Sequence, residues 1–309
     1  MRAIISFICV GLACAVAAGC RDAADPDGAV RVVATTPQIA DFVREVGGER
    51  VAVTQVLPAN ADPHEYEPRP SDAEALAEAD LVVRSGGEVD AWLDQLIDAS
   101  GSDAPLLSLI DVVETRAGEG GDPDPHWWQD PRNAELAVTA IDRRLRAIDP
   151  GGDAGYRDRA GAYLKRLRAL DRAIASCIGG IPAAERELVT AHDALGYYAD
   201  RYGIELVGAA IPSLSSQGQA SAGAVAELVE AIRAAGANAV FPEQGTSAEL
   251  EDAIAAEAGV RLGAELWTDT LGPAGSDGAT YIEAMRSNTS RLASGLSDGR
   301  DDCEPELGP

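Results

Sequence analysis

Two runs of alternating strand-like and helix-like segments, parted by one long amphipathic helix, constrain this chain more than any other feature. In the first run, apolar strand-like stretches at 30–35, 51–57, 81–84 and 105–110 alternate with helix-like stretches at 37–46, 71–79 and 89–99. The second run repeats the rhythm. Strands are expected at 188–191, 206–211, 239–241 and 261–266, with helices at 194–202, 221–235, 247–258 and 278–296. Strands separated by helices pair in parallel, and a parallel sheet is covered on both faces. Between the runs, Pro150-Gly151-Gly152 breaks the chain. Tyr156, Ala160, Tyr163, Leu167, Leu170, Ile174 and Cys177 then recur every three or four residues, and Gly179-Gly180 and Pro182 close the pattern. That spacing predicts a helix of about 25 residues, roughly 40 Å long. The expected fold class is α/β, with two pseudo-symmetric lobes, each a mostly parallel sheet flanked by helices, joined by one long rigid helix.

The chain has 309 residues, of which 46% are hydrophobic, enough for a sizeable core and about two domains. Its net charge of −26 repels phosphate backbones and excludes nucleic acid as a partner. Arg2 precedes an apolar run from Ala3 to Ala18 that ends in Ala17-Ala18-Gly19-Cys20. This is a signal peptide, 1–19, and not a membrane span. A cysteine after Ala-Ala-Gly resembles a bacterial lipobox, although Ala17 stands where Leu is usual. Cys20 is thus the expected lipid anchor, 20–28 a flexible tether, and the outer face of the cell membrane the expected location. Without lipidation the chain is periplasmic or secreted. Cys9 and Cys14 leave with the signal; in an exported protein the remaining Cys177 and Cys303 favour a disulfide. The expected boundaries are a first lobe at 29–149, the linking helix at 152–179, a second lobe at 185–297 and a tail at 298–309.

The chain holds three histidines, and each falls just after a predicted strand, where open α/β sheets place ligands. His64 lies in Asp62-Pro63-His64-Glu65-Tyr66-Glu67-Pro68, and His126 in Asp124-Pro125-His126-Trp127-Trp128-Gln129-Asp130-Pro131. His192 opens His192-Asp193-Ala194-Leu195-Gly196-Tyr197-Tyr198. A lone loop histidine is usually unremarkable; three in such settings point to a metal. The prolines stiffen the loops, and nearby acids offer the acceptor that a ligating imidazole needs on its other nitrogen. Asp130-Pro131 and Ser71-Asp72 also read as helix starts.

These three motifs, in this order and with a long helix between the second and third, resemble the metal-specific substrate-binding proteins of bacterial ABC transporters, the zinc and manganese group. The resemblance runs from Val30 to about Leu296. It implies a fourth ligand from a carboxylate late in the second lobe, which falls on Asp269 in Trp267-Thr268-Asp269-Thr270-Leu271-Gly272. Glu243, in Pro242-Glu243-Gln244, is the competing carboxylate and is expected behind the ligands, as are Glu65 and Asp130. Three imidazoles and one carboxylate suit tetrahedral Zn²⁺, whereas manganese members carry a carboxylate at the third position. The resemblance therefore implies a monomer that carries Zn(II) as transported cargo to a membrane permease, with a zinc metallochaperone as a further partner. The loop 118–124 lacks the histidines found there in many zinc members. The polar stretch Ser213–Gln219 reads as a surface loop, either free or touching a partner.

Other functions fit less well. A zinc hydrolase keeps three protein ligands, an open water position and a general base such as Glu65 or Glu243. No His-Glu-x-x-His helix occurs, and a fourth protein ligand closes the site. A manganese-binding or adhesin-like member of the same family is the other alternative, but no feature of the sequence marks a protein-binding patch.

Overall fold

The computed structural model describes residues 28–118 and 121–308. The signal peptide, Cys20 and the tether up to residue 27 lie outside the described residues, as do two positions of the acidic loop. Among the described residues no helix is long and apolar enough to cross a membrane.

The first lobe runs β1 (Val30–Ala34), α1 (Pro37–Gly47), β2 (Val51–Gln55), α2 (Pro70–Ala77), β3 (Leu81–Arg84), α3 (Trp92–Ser100) and β4 (Leu106–Ser108). Two long helices follow, α4 (Pro131–Ile148) and α5 (Asp153–Gly180). The second lobe runs β5 (Glu187–His192), α6 (Gly196–Tyr202), β6 (Glu205–Ile211), α7 (Ala222–Ala235), β7 (Ala239–Phe241), α8 (Glu249–Ala258), β8 (Arg261–Leu262) and α9 (Tyr281–Leu296). Both sheets are parallel throughout, in the orders β2-β1-β3-β4 and β6-β5-β7-β8. Each first strand therefore sits inside its sheet, flanked by the second and third. The loops leaving the first and third strands turn opposite ways and open a crevice at the carboxyl ends.

Helix α5 buries the stripe expected from its periodicity, Tyr156, Ala160, Tyr163, Leu167, Leu170, Ile174 and Cys177. At 28 residues it spans about 42 Å. It does not stand alone. Glu135 meets Arg168 at 2.7 Å and Arg146 meets Asp153 at 2.5 Å, so α4 folds back along α5 as an antiparallel partner. Of helix α4 the sequence reading marks only the start at Asp130-Pro131, where the Asp130 carboxylate accepts from the Arg132 N–H. Its buried face, Ala134, Ala137, Val138, Ile141 and Leu145, recurs every three or four residues as in α5. One continuous core joins β1, β3, α1, α4 and α5 to α6, β7 and α9. The link between lobes is thus a helical hairpin buried in a shared core, which makes it stiff. Cys177, near the end of α5, is bonded to Cys303 with their Cα atoms 5.6 Å apart.

The strand expected over 261–266 stops at Leu262. Beyond it, the Gly263 N–H still donates to Val240 O (2.7 Å) and the Leu266 N–H to Pro242 O (2.8 Å). A Cβ on Gly263 would lie 2.6 Å from the Phe241 ring, so the chain crosses that ring on bare backbone and leaves the pleat. This departure turns residues 267–271 over the sheet edge toward the other lobe.

Candidate metal centre

Each imidazole is held by its own local device. The turn Pro63–Glu65 carries His64, and the Asp62 carboxylate accepts the His64 N–H at 2.8 Å. Asp124 does the same for the His126 N–H at 3.0 Å, and the same oxygen contacts His126 Nδ1 at 2.8 Å. The other Asp124 oxygen takes Arg116 Nη1 at 2.9 Å. His192 is the last residue of β5, and its Nδ1 lies 2.6 Å from Glu243 Oε1 across the β5–β7 crevice. Asp269 follows the crossing over Phe241. Its position is fixed from the first lobe, because Trp128 Nε1 and Gln129 Nε2 both donate to Thr268 O at 2.9 Å.

The four side chains converge. Asp269 Oδ2 is 3.1 Å from His64 Nε2 and 3.2 Å from His192 Nε2, and Oδ1 is 3.5 Å from His126 Nε2. The Nε2 atoms of His126 and His192 face each other at 3.4 Å. One ligand atom from each of the four residues lies within 4.8 Å of the others. A tetrahedral ion at zinc–nitrogen and zinc–oxygen bond lengths separates its ligand atoms by about 3.4 Å, so most of these spacings fit.

Tautomers sharpen the point. With Nδ1–H donated to Asp124 and to Glu243, neutral His126 and His192 present two bare lone pairs to each other. That arrangement is repulsive unless a cation or a proton lies between. His64 Nε2 and both Asp269 oxygens are likewise buried with no well-formed hydrogen bond. Buried polar atoms are normally partnered, and here the orphans are the atoms that point at the common centre. Asp124, Glu243 and Asp269 outnumber the one guanidinium that pairs with them, Arg116, so the cluster is net acidic and attracts a cation.

The electrostatics of the cluster agree. Burial pushes the His192 imidazolium down, but the charges of Glu243 and Asp269 outweigh it and hold its pKa well above the ordinary value. Burial also opposes charge on His64, where contact with Asp269 again wins and raises the pKa. Burial alone raises Asp269; the charges of His192 and His126 reverse this and hold its carboxyl well below the usual range. The cluster attracts positive charge, and protons and a metal ion compete for the same lone pairs.

Of the residues expected behind the ligands, Glu243 lies on His192. Glu65 and Asp130 do not lie on an imidazole. The Glu65 side chain is exposed beside the site, because the short turn that buries Pro63 and His64 directs its neighbour outward. The Asp130 oxygens accept from the Arg132 backbone and guanidinium at the start of α4. Asp124 fills the role instead. A signal for it is present, since Asp-Pro-His occurs twice, but only Asp124 reaches the ring. The Ser213–Gln219 loop meets the first lobe while Gln217 and Gln219 stay at the surface. Ser216 Oγ donates to Asp62 Oδ2, and Gln217 Nε2 donates to His64 O at 2.6 Å, so this second-lobe loop clasps the His64 turn.

Comparison with known proteins places these features in context. The profile of the family described as "zinc-uptake complex component A periplasmic" matches residues 32–295. A manganese-binding lipoprotein of Halalkalibacterium halodurans is 31% identical over 302 residues, covering 96% of this chain and 99% of that protein. A manganese ABC transporter substrate-binding lipoprotein of Streptococcus mitis is 27% identical, covering 95% and 97%. Among solved structures, a periplasmic zinc binding protein from Treponema pallidum superposes with a TM-score of 0.81 at 26% identity, covering 87% of this chain and all of that one.

Proposed function

Since the chain belongs to the family of periplasmic zinc-uptake component A proteins, we propose that it captures Zn(II) between its two lobes and hands it to the permease of a metal ABC transporter. It is a substrate-binding protein of the metal-transporting type and not an enzyme, as the names of its relatives state for themselves. The proposed ligands are His64 and His126 from the lobe at 29–149, and His192 and Asp269 from the lobe at 185–297. Asp124 and Glu243 orient two of the rings.

The observation that carries the reading is the pair of Nε2 atoms 3.4 Å apart, each on a ring whose Nδ1 already faces a carboxylate. A cation at their centre resolves that conflict. Zinc is favoured over manganese because three of the four donors are imidazole nitrogens, and oxygen-rich sites suit manganese. The relatives named for manganese make that ion the alternative cargo. Because acid places protons on the same lone pairs, binding weakens as pH falls through the raised imidazole pKa values. The relatives named as lipoproteins support an extracytoplasmic place on the membrane, with Cys20 as the anchoring residue.

Calorimetric titration of chelator-stripped protein with Zn²⁺ and Mn²⁺, with X-ray absorption of the zinc form, tests this. One zinc per chain in a four-coordinate shell of nitrogen and oxygen, with manganese weaker by at least about tenfold, is expected. A six-coordinate, oxygen-dominated shell or equal affinity for manganese overturns the assignment of zinc.

A further inference from the structure

Beside the cluster, on the second-lobe side, lies a cavity of about 320 Å³. Four carboxylates face it, Asp62, Glu65, Glu243 and Glu251, and His192 forms part of the wall between cavity and cluster. Ser216, Thr246 and Ser247 add hydroxyls, Ala191, Ile211 and Leu250 form an apolar part of the wall, and no lysine or arginine contributes to it. Acids gathered at a surface are ordinarily just solvated, and a glutamate in the first turn of a helix ordinarily answers the helix dipole. Glu251 does not fit that description. Its neighbours in the first turn of α8, Glu249 and Asp252, are exposed, whereas Glu251 is turned inward and only 4% exposed. Its Oε2 is buried with no hydrogen-bond partner. Burial is the largest cause that holds its carboxyl above the ordinary value; a hydrogen bond from its own backbone N–H opposes this, and the charge of Glu243 adds to it. A buried carboxylate oxygen without a partner costs stability unless something pairs with it.

We propose that this cavity is a second, weaker subsite for a hydrated divalent cation, held by oxygen atoms of Glu251 and the neighbouring carboxylates. The chemistry is that of a hard cation, with carboxylate, hydroxyl and water ligands and no imidazole lone pair available, since His192 Nδ1 faces Glu243. Its position makes it the antechamber to the buried cluster. An ion resting there is concentrated by the acidic walls before it sheds water for the four proposed ligands. This role as antechamber rests on the metal-capture reading above; the existence of the subsite does not.

The test uses the full chain loaded with one equivalent of Zn²⁺ and titrated with Mn²⁺, the free ion being read by electron paramagnetic resonance. One further Mn²⁺ is expected to bind, weakly. Glu251→Gln should weaken that second event by about tenfold, a loss of one charged ligand, while the zinc equivalent stays in place. Glu65→Gln, on the exposed rim where no core packing is disturbed, should weaken it less. Absence of a second event in the parent chain, or one undiminished in both variants, overturns the subsite. The loading step separates the two readings: failure of the first equivalent of Zn²⁺ to bind strikes the proposed function, and loss of the Glu251-sensitive Mn²⁺ event alone strikes the subsite.

Discussion

The two lobes have one topology and use its crevice in different ways. In the second lobe the crevice between the first and third strands holds His192 and Glu243, and His192 keeps a bare Nε2 for the shared centre. The same place in the first lobe, between β1 and β3, holds Asp90. That carboxylate is fully buried and accepts from Thr35 Oγ1 (2.8 Å), Ser85 N (2.7 Å) and Gly86 N (3.0 Å), with Arg84 at 3.2–3.3 Å. All of its partners belong to its own lobe. The first lobe therefore delivers its histidines from loops beyond its outer strands β2 and β4, while the second delivers His192 from the strand itself. Topology supplies a crevice twice; the residues lining it decide whether it closes on itself or faces a ligand.

Exchanging the two crevices in experiment gives the largest expected effects. Asp90→Ala leaves Arg84 buried beside a lost partner and should cost about 3–5 kcal/mol of stability, read as a shift in denaturant midpoint. The zinc affinity of the folded fraction should not change. His192→Ala should act mainly on the metal, lowering zinc affinity on the order of 100-fold or more, although it also leaves Glu243 buried without its ring partner and costs some stability. If Asp90→Ala weakens zinc as much as His192→Ala, the division of roles between the crevices is wrong. Next in size is Glu243→Gln, which still accepts through its amide oxygen but loses the charge behind His192. Zinc affinity should fall about 10–100-fold by calorimetry, and Asp124→Asn should match it on His126.

The place where the lobes meet gives an effect of similar size in pH. Asp41 on α1 accepts from the Tyr281 N–H at the start of α9 (3.1 Å) and from Tyr163 of α5 (3.3 Å). Burial is the dominant cause, and it raises the Asp41 pKa from 3.8 to about 6 despite those two donors. A carboxyl whose folded pKa is raised stabilises the fold below its unfolded value, and that contribution is lost as pH climbs toward 6 and beyond. Asp41→Asn keeps an acceptor for both donors. It should remove this part of the decline between about pH 4 and pH 6 and stabilise the protein at pH 7 by about 2 kcal/mol, measured as the difference in unfolding free energy from the parent. A parent-like pH profile would mean that Asp41 is ionised without penalty.

Much of this arrangement is legible in the chain. The βαβ rhythm and the stripe from Tyr156 to Cys177 announce both sheets and α5, because periodicity in a buried element is written in residue type. The three histidines stand out by rarity and by their places after strands. What is not legible depends on turns and distant pairings. Asp269 has no local mark and follows from the family resemblance; its position depends on the crossing at Gly263 and on Trp128 and Gln129, nearly 140 residues away along the chain. Glu243 reaches His192 across 51 positions, and no spacing rule encodes that. Asp62 and Asp124 sit in the same tripeptide, yet only one bonds to its ring, since the backbone after each turns differently: His126 precedes a turn of buried tryptophans and His64 lies inside a half-exposed one.

That last difference leaves His64 as the proposed histidine ligand with the least support from its own lobe. Among the described residues no carboxylate is bonded to its Nδ1, and Asp62 is turned to Ser216 of the other lobe instead. The His64 turn is therefore held closed by the clasp from Ser213–Gln219, and the clasp exists only while the lobes are together. Opening the lobes would release His64 first, with His126 and His192 still locked to their carboxylates. Ser216→Ala removes one hydrogen bond to a charged group, worth about 1–2 kcal/mol in the closed state and nothing in the open one. Zinc should leave the variant about 5–20-fold faster in stopped-flow chase with a chelator. The association rate should stay near that of the parent, as expected for a contact that holds the lobes together and does not itself touch the ion. The outer Gln217→Ala should show the same pattern more weakly, as its contact is exposed. An unchanged release rate in both variants, or a loss confined to association, would place the control of opening elsewhere, and Asp41 and the α1–α9 contact would then be the next joint to test.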